Sequence, residues 1–154
     1  MHRLLSLFVL AFLLAANTHY AFAQSLLTVQ RITAFQMLQG LPQWTASVQQ
    51  RLSRTSFVLQ PNGVIIIRAP GRSDLYPLSG NFQQEGTQIR FYAVRQSRIG
   101  GTGVAHVVWN GVINLQNRLA QVEVSSGTGN AAVINNQKFQ GSNSEHYAAT
   151  LQLR

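Results

Sequence analysis

Two histidines in the body of the chain, His106 and His146, and four acids, Asp74, Glu85, Glu123 and Glu145, are the groups best suited to move protons or hold a metal. With Glu123 or Glu145 the histidines could ligate zinc if the fold gathered them. No HExxH pair and no clustered Asp/Asn calcium loop fixes such a site, so sheet-surface histidines and no metal are expected. Paired carboxylates held across a cleft could hydrolyse a glycoside. Glu85 falls in an expected turn and Glu123 on a face turned from the core, which makes surface charges or arginine partners the simpler reading. No GxSxG and no clear Ser-His-acid placement occurs. Gly100-Gly101-Thr102-Gly103 lacks the lysine and the following helix of a phosphate loop, so it is expected to be a turn and no cofactor is expected.

A binding surface is easier to draw than a catalytic one. Arg90 and Tyr92 alternate on one face of an expected strand, with His106 on a neighbouring one. Arg90 suits a ligand carboxylate or phosphate, and Tyr92 offers an apolar plane and a hydroxyl. The plain alternative is an ordinary cross-strand pair, with Glu123 as an arginine partner. Phe91 and Trp109 belong to the opposite, core-facing set.

The first 23 residues resemble an export signal. His2 and Arg3 give a positive start, Leu4 to Ala16 an apolar core too short to span a bilayer comfortably, and Ala21-Phe22-Ala23 a small-x-small cleavage site. A mature chain of 131 residues, from 24 to 154, would follow as a single β-rich domain, secreted or periplasmic. Arg3 is one of the twelve cationic residues, so eleven remain against four acids, a charge near +7. That balance favours anionic surfaces or polymers without naming one. The cationic residues of the mature part are ten arginines and Lys138, and arginine suits bidentate contacts. Cysteine is absent, which removes disulfides, thiol nucleophiles and cysteine-based metal sites, and no Asn-x-Ser/Thr acceptor is present.

Alternating hydrophobicity dominates what must position these groups. Residues 25–39 fit either a strand, with Leu27, Val29, Phe35 and Met37 on one face, or a short helix that brings Val29, Ile32 and Phe35 together. The strand, followed by a short helical or irregular turn at Gly40 and Pro42, is favoured, and strands are expected from Trp44 onward. Ser56–Gln60 and Val64–Arg68 flank Pro61-Asn62-Gly63 as a hairpin, and the β-branched run Val64–Ile67 suits a buried strand. Asp74–Leu78, with its internal proline, would be an edge or bulge. A turn at Gln84-Glu85-Gly86 leads into Gln88–Arg95, with Ile89, Phe91 and Ala93 inward. Ala105, Val107 and Trp109 share a face opposite His106, a bend is expected near Gly111, and Ala120, Val122 and Val124 point inward. A loop over Ser125 to Asn130, a weak strand near Ala131 to Ile134 and a polar connection to Ser144 follow. The last strand places Tyr147, Ala149, Leu151 and Leu153 on one face.

About eight strands joined by short turns predict an all-β domain, a small antiparallel β-barrel or β-sandwich behind a cleavable signal peptide. Gly40-Leu41-Pro42-Gln43-Trp44 departs from the Gly-x-Trp spacing of lipocalins, so the sequence assigns no family. The expected function is a non-catalytic exported domain binding a small amphiphilic or anionic ligand or an envelope component, such as an anionic polymer. A structural or accessory role with a protein partner is the chief alternative, and a small hydrolase the next. The charge would allow nucleic acid as a partner, but the export signal and the lack of a repeated aromatic stacking pattern make it an unexpected one. No transmembrane segment is expected in the mature chain. A membrane-inserted barrel is less favoured than a soluble domain, given the frequent breaks and modest outward hydrophobicity.

Overall fold

A computed structural model of the chain describes residues 24–71, 73, 75–99, 103–130 and 144–154. Among the described residues eight antiparallel strands close into a barrel, each paired with its neighbour in sequence and the last with the first. They are β1 (Ser25–Gln39), β2 (Ser56–Leu59), β3 (Val64–Arg68), β4 (Leu78–Glu85), β5 (Gln88–Ile99), β6 (Gly103–Asn114), β7 (Leu119–Asn130) and β8 (Glu145–Leu153). Of the two expected architectures the barrel is the one formed. The leader and the weak strand near Ala131 to Ile134 lie outside the described residues.

Closure depends on β1 being long. Its first residues pair with β2, from Ser25 opposite Leu59 to Thr28 opposite Ser56, and the rest pair with β8 as far as Gln39 opposite His146. Thr28 and Arg154 exchange both backbone hydrogen bonds, at 3.1 and 3.0 Å, sealing the ring at the last residue of the chain. Register shifts after Val29, Ile32 and Met37 mark irregularities that let so long a strand bend around the barrel.

The inward side chains stack in layers. Ile32, Ile89, Ile113, Ala120 and Leu151 make one, linked by direct cross-strand register. Phe91 lies in the next, and Trp109, Val124 and Tyr147 above that. Phe57 meets Phe91 at 5.9 Å between ring centres and meets Trp109 edge-on at 6.0 Å, so aromatic rings fill the middle of the barrel. Gly111, within the Phe91 layer, is a packing requirement. A Cβ there would stand 2.4 Å from the Gln121 carbonyl oxygen and 3.0 Å from the Phe91 ring. β6 continues through Gly111 to Asn114 without a register break, as the expected continuation to Ile113 requires.

Outward positions on the long strands carry Arg90, Asn110, Gln121, Glu123, Thr150 and Gln152. Exposed Leu26, Leu38, Tyr92 and Val94 lie on β1 and β5, so the outer surface is mixed. Among the described residues no helix is long and apolar enough to cross a membrane.

Three local expectations need correction. After a 3-10 turn at Pro42–Trp44, residues Thr45–Ser53 form a helix, α1, where strands were expected. Val48 and Leu52, one turn apart, are both fully buried and hold α1 on the core beside β1. Buried Thr55 donates its hydroxyl to the Arg51 carbonyl at 3.0 Å, satisfying one of the acceptors left at the helix end. Leu75 sits in a turn rather than an edge strand, and β4 starts only at Leu78, after the cis Tyr76-Pro77 bond. The stretch from Ser125 to Asn130 continues β7 against β6 instead of forming a loop.

Candidate functional site

The top inward layer is where the core gives way to polar chemistry. Val107, Ser126 and Glu145 are direct cross-strand neighbours there, one step above Trp109, Val124 and Tyr147. Period-two alternation in β8 makes this placement compulsory: if Tyr147, Ala149 and Leu151 face inward, so must Glu145. A carboxylate at an inward position needs a partner, because burying its charge alone is costly. α1 supplies one. Arg51, on the flank beside Leu52, reaches across the barrel mouth and donates from Nη2 to Oε2 of Glu145.

Tyr76 completes the arrangement from the turn before β4. Its hydroxyl accepts a hydrogen bond from the Trp109 indole nitrogen at 2.9 Å, tying the mouth to the aromatic core below. The Ser126 hydroxyl lies 3.5 Å from Glu145, so it addresses the carboxylate directly rather than through a histidine. These groups, with Leu75, Val107 and His106, line a partly open cavity of about 160 Å³. The ion pair, the phenols and the serine share this lining with the apolar side chains of Leu75 and Val107.

The electrostatics of the mouth are settled by burial. Desolvation raises the pKa of Tyr76, and more strongly that of Tyr147, keeping both phenols protonated. Desolvation opposes the Arg51 charge, yet the groups around it, Glu145 foremost, leave its pKa above the usual arginine value. Burial lowers His106 to about 4, so its imidazole is neutral at neutral pH. The mouth therefore presents one paired charge and several neutral hydrogen-bonding groups, an arrangement suited to holding a ligand.

The sequence-chosen residues do not converge on one place. Arg90 and Tyr92 stand on the outer surface of β5, opposite Val112 and Asn110 of β6. His106 belongs to the mouth instead. Alternation does set it on the outward face, but it is 3% exposed rather than a surface histidine. Part of the reason is visible at Gly127, its cross-strand neighbour, where a Cβ would come within 2.9 Å of the buried Ser144. His146 pairs with Glu123 at 2.5 Å on the outside of the barrel, and β6 lies between Glu123 and the strand that carries Arg90. Among the described residues no three His, Asp or Glu side chains gather as a metal site.

Comparison with protein-family models, curated proteins and solved structures finds no match to this chain. The functional reading therefore rests on geometry. Sequence reasoning passed over Arg51, Tyr76 and Ser126 as site residues; of its two readings of Glu145, surface charge or arginine partner, the Arg51 pair bears out the second. The inward step of alternation at Glu145 was the available signal. Arg51 had none, because its helix was not foreseen.

Proposed function

We propose that the protein is an exported, non-catalytic binding barrel that holds one small amphiphilic molecule at its helix-covered mouth. The observation carrying this reading is the cavity that Arg51, Glu145 and Tyr76 line together with the apolar side chains of Leu75 and Val107. A cavity near 150 Å³ accommodates a molecule of benzene size, so the volume of about 160 Å³ fits a single ring rather than a long lipid. The aromatic packing beneath Tyr76 leaves the ligand at the mouth instead of deep inside. Glu145 engages at most two of the five guanidinium donors of Arg51, which leaves others for a hydroxyl or carboxylate on the ring.

Tyr76 gives this proposal a built-in reporter. A ligand that bonds to the Tyr76 hydroxyl perturbs Trp109, which donates to the same oxygen. Purified protein titrated with 4-hydroxybenzoate, and with benzyl alcohol as an uncharged comparison, should show saturable change in tryptophan emission. Native mass spectrometry of protein isolated from its own envelope extract should show a retained mass that is lost on denaturation. Absence of both signals would refute small-ligand binding and favour the accessory role.

A further inference from the structure

The outer surface carries a second concavity, separate from the mouth. It runs across β6, β7, β8 and β1, has a volume of about 600 Å³, and lies within the range typical of ligand sites. Three strand spacings make it roughly 14 Å wide. A barrel exterior is ordinarily convex, and short side chains create the hollow here. Ala34 and Ala148 form its floor.

Polar groups with unspent hydrogen-bonding capacity surround that floor. Asn110, Gln121, Gln36 and Thr150 line the groove, and the three amides are exposed. Among the described residues no hydrogen bond engages the side chains of Asn110 or Gln121. Each amide offers two donors and a two-lone-pair acceptor in one plane, the complement of adjacent hydroxyls that both donate and accept. Tyr92 stands beside Asn110 on the next strand, half-exposed at 50%, and presents an apolar ring plane with a wet hydroxyl end. Glu123 is the one carboxylate in the groove and is paired with His146. It accepts hydroxyl donors and repels anions, which sets this groove apart from the rest of a strongly basic molecule.

We infer that this outer groove binds a neutral, hydroxyl-rich oligosaccharide, with the amides of Asn110 and Gln121 clasping ring hydroxyls and Tyr92 packing against a sugar face. This site is independent of the mouth cavity, and either could stand without the other.

The test uses calorimetric titration of the purified protein with cellohexaose, maltohexaose, laminarihexaose and chitohexaose, and with an anionic control, hexagalacturonate. At least one neutral hexamer should bind saturably and more tightly than hexagalacturonate. Loss of one or two hydrogen bonds in Asn110→Ala, or of the ring in Tyr92→Ala, should weaken that binding about 5- to 10-fold. Both side chains are exposed, so thermal unfolding of these variants should match that of the unaltered protein. Leu26→Ser, exposed on β1 near the β2 pairing, should leave affinity unchanged. Failure of all four neutral hexamers to bind, preference for hexagalacturonate, or full affinity in both groove variants would overturn the inference.

Discussion

Tyr76→Phe removes a single oxygen atom from the mouth and keeps the ring. That oxygen accepts the Trp109 indole N–H at 2.9 Å, and Trp109 is only 1% exposed. A buried donor that loses its acceptor costs about 1–3 kcal/mol, because the desolvation of the N–H is no longer offset. Tyr76 itself borders the cavity, so water entering from the mouth would bring the loss toward the lower end of that range. For a domain of this size each kcal/mol corresponds to roughly 3–5 °C in Tm. The variant should therefore melt about 3–10 °C lower, followed by far-ultraviolet circular dichroism, and show altered tryptophan emission in the folded state. A double-mutant cycle with Trp109→Phe isolates the bond: Tyr76→Phe should cost about 1–3 kcal/mol less once the indole N–H is gone. An unchanged Tm for Tyr76→Phe, or an equal cost in both backgrounds, would refute the claim that this bond joins mouth to core.

Three further expectations follow from the packing and the charges. The folded pKa of His106, about 4, lies below its unfolded value near 6.5, so protons favour the unfolded chain. Its contribution to stability is complete above about pH 6.5 and is lost as pH falls toward 4, by up to about 3 kcal/mol. Urea unfolding should show this extra acid loss in the unaltered protein and not in His106→Phe; equal slopes would contradict it. Gly111→Ala puts a methyl group 2.4 Å from the Gln121 carbonyl oxygen, so it should destabilise by about 2 kcal/mol or more in the same measurement. Glu145→Gln, at an inward position beside Arg51, should cost about 1–3 kcal/mol, and Glu123→Gln on the exposed outer face less than about 1 kcal/mol. Denaturant midpoints in the reverse order would show that the two ion pairs have been ranked wrongly.

Apart from the stretches at Leu75 and Ser125–Asn130, the strands after Ser56 were legible because burial and alternation agree there. Ile89, Phe91 and Ala93, then Ala105, Val107 and Trp109, then Tyr147, Ala149 and Leu151 all face inward as their spacing demands. Helix α1 was hidden for a physical reason. Only Val48 and Leu52 of its nine residues are buried, and its N-terminus, at Trp44, makes no side-chain capping bond. Both common signatures of a helix are thus weak, and contact with a barrel that forms from distant sequence holds it in place. The site followed the same division. Glu145 was reachable from alternation alone, whereas Arg51 and Tyr76 reach the mouth only through the helix and the turn before β4. His106 was given the correct side of its strand and the wrong environment, because alternation tells which face a residue takes but not what covers that face.

The claim that ligand is held at the mouth, above a filled core, is tested most directly by amide and side-chain NMR during titration with 4-hydroxybenzoate. Shifts should saturate and concentrate at Arg51, Tyr76, Ser126, Glu145 and the Trp109 indole N–H, while Ile113, Ala120 and Leu151 stay unmoved. Saturable shifts centred on those deep residues, or no saturable shift at all, would contradict the account.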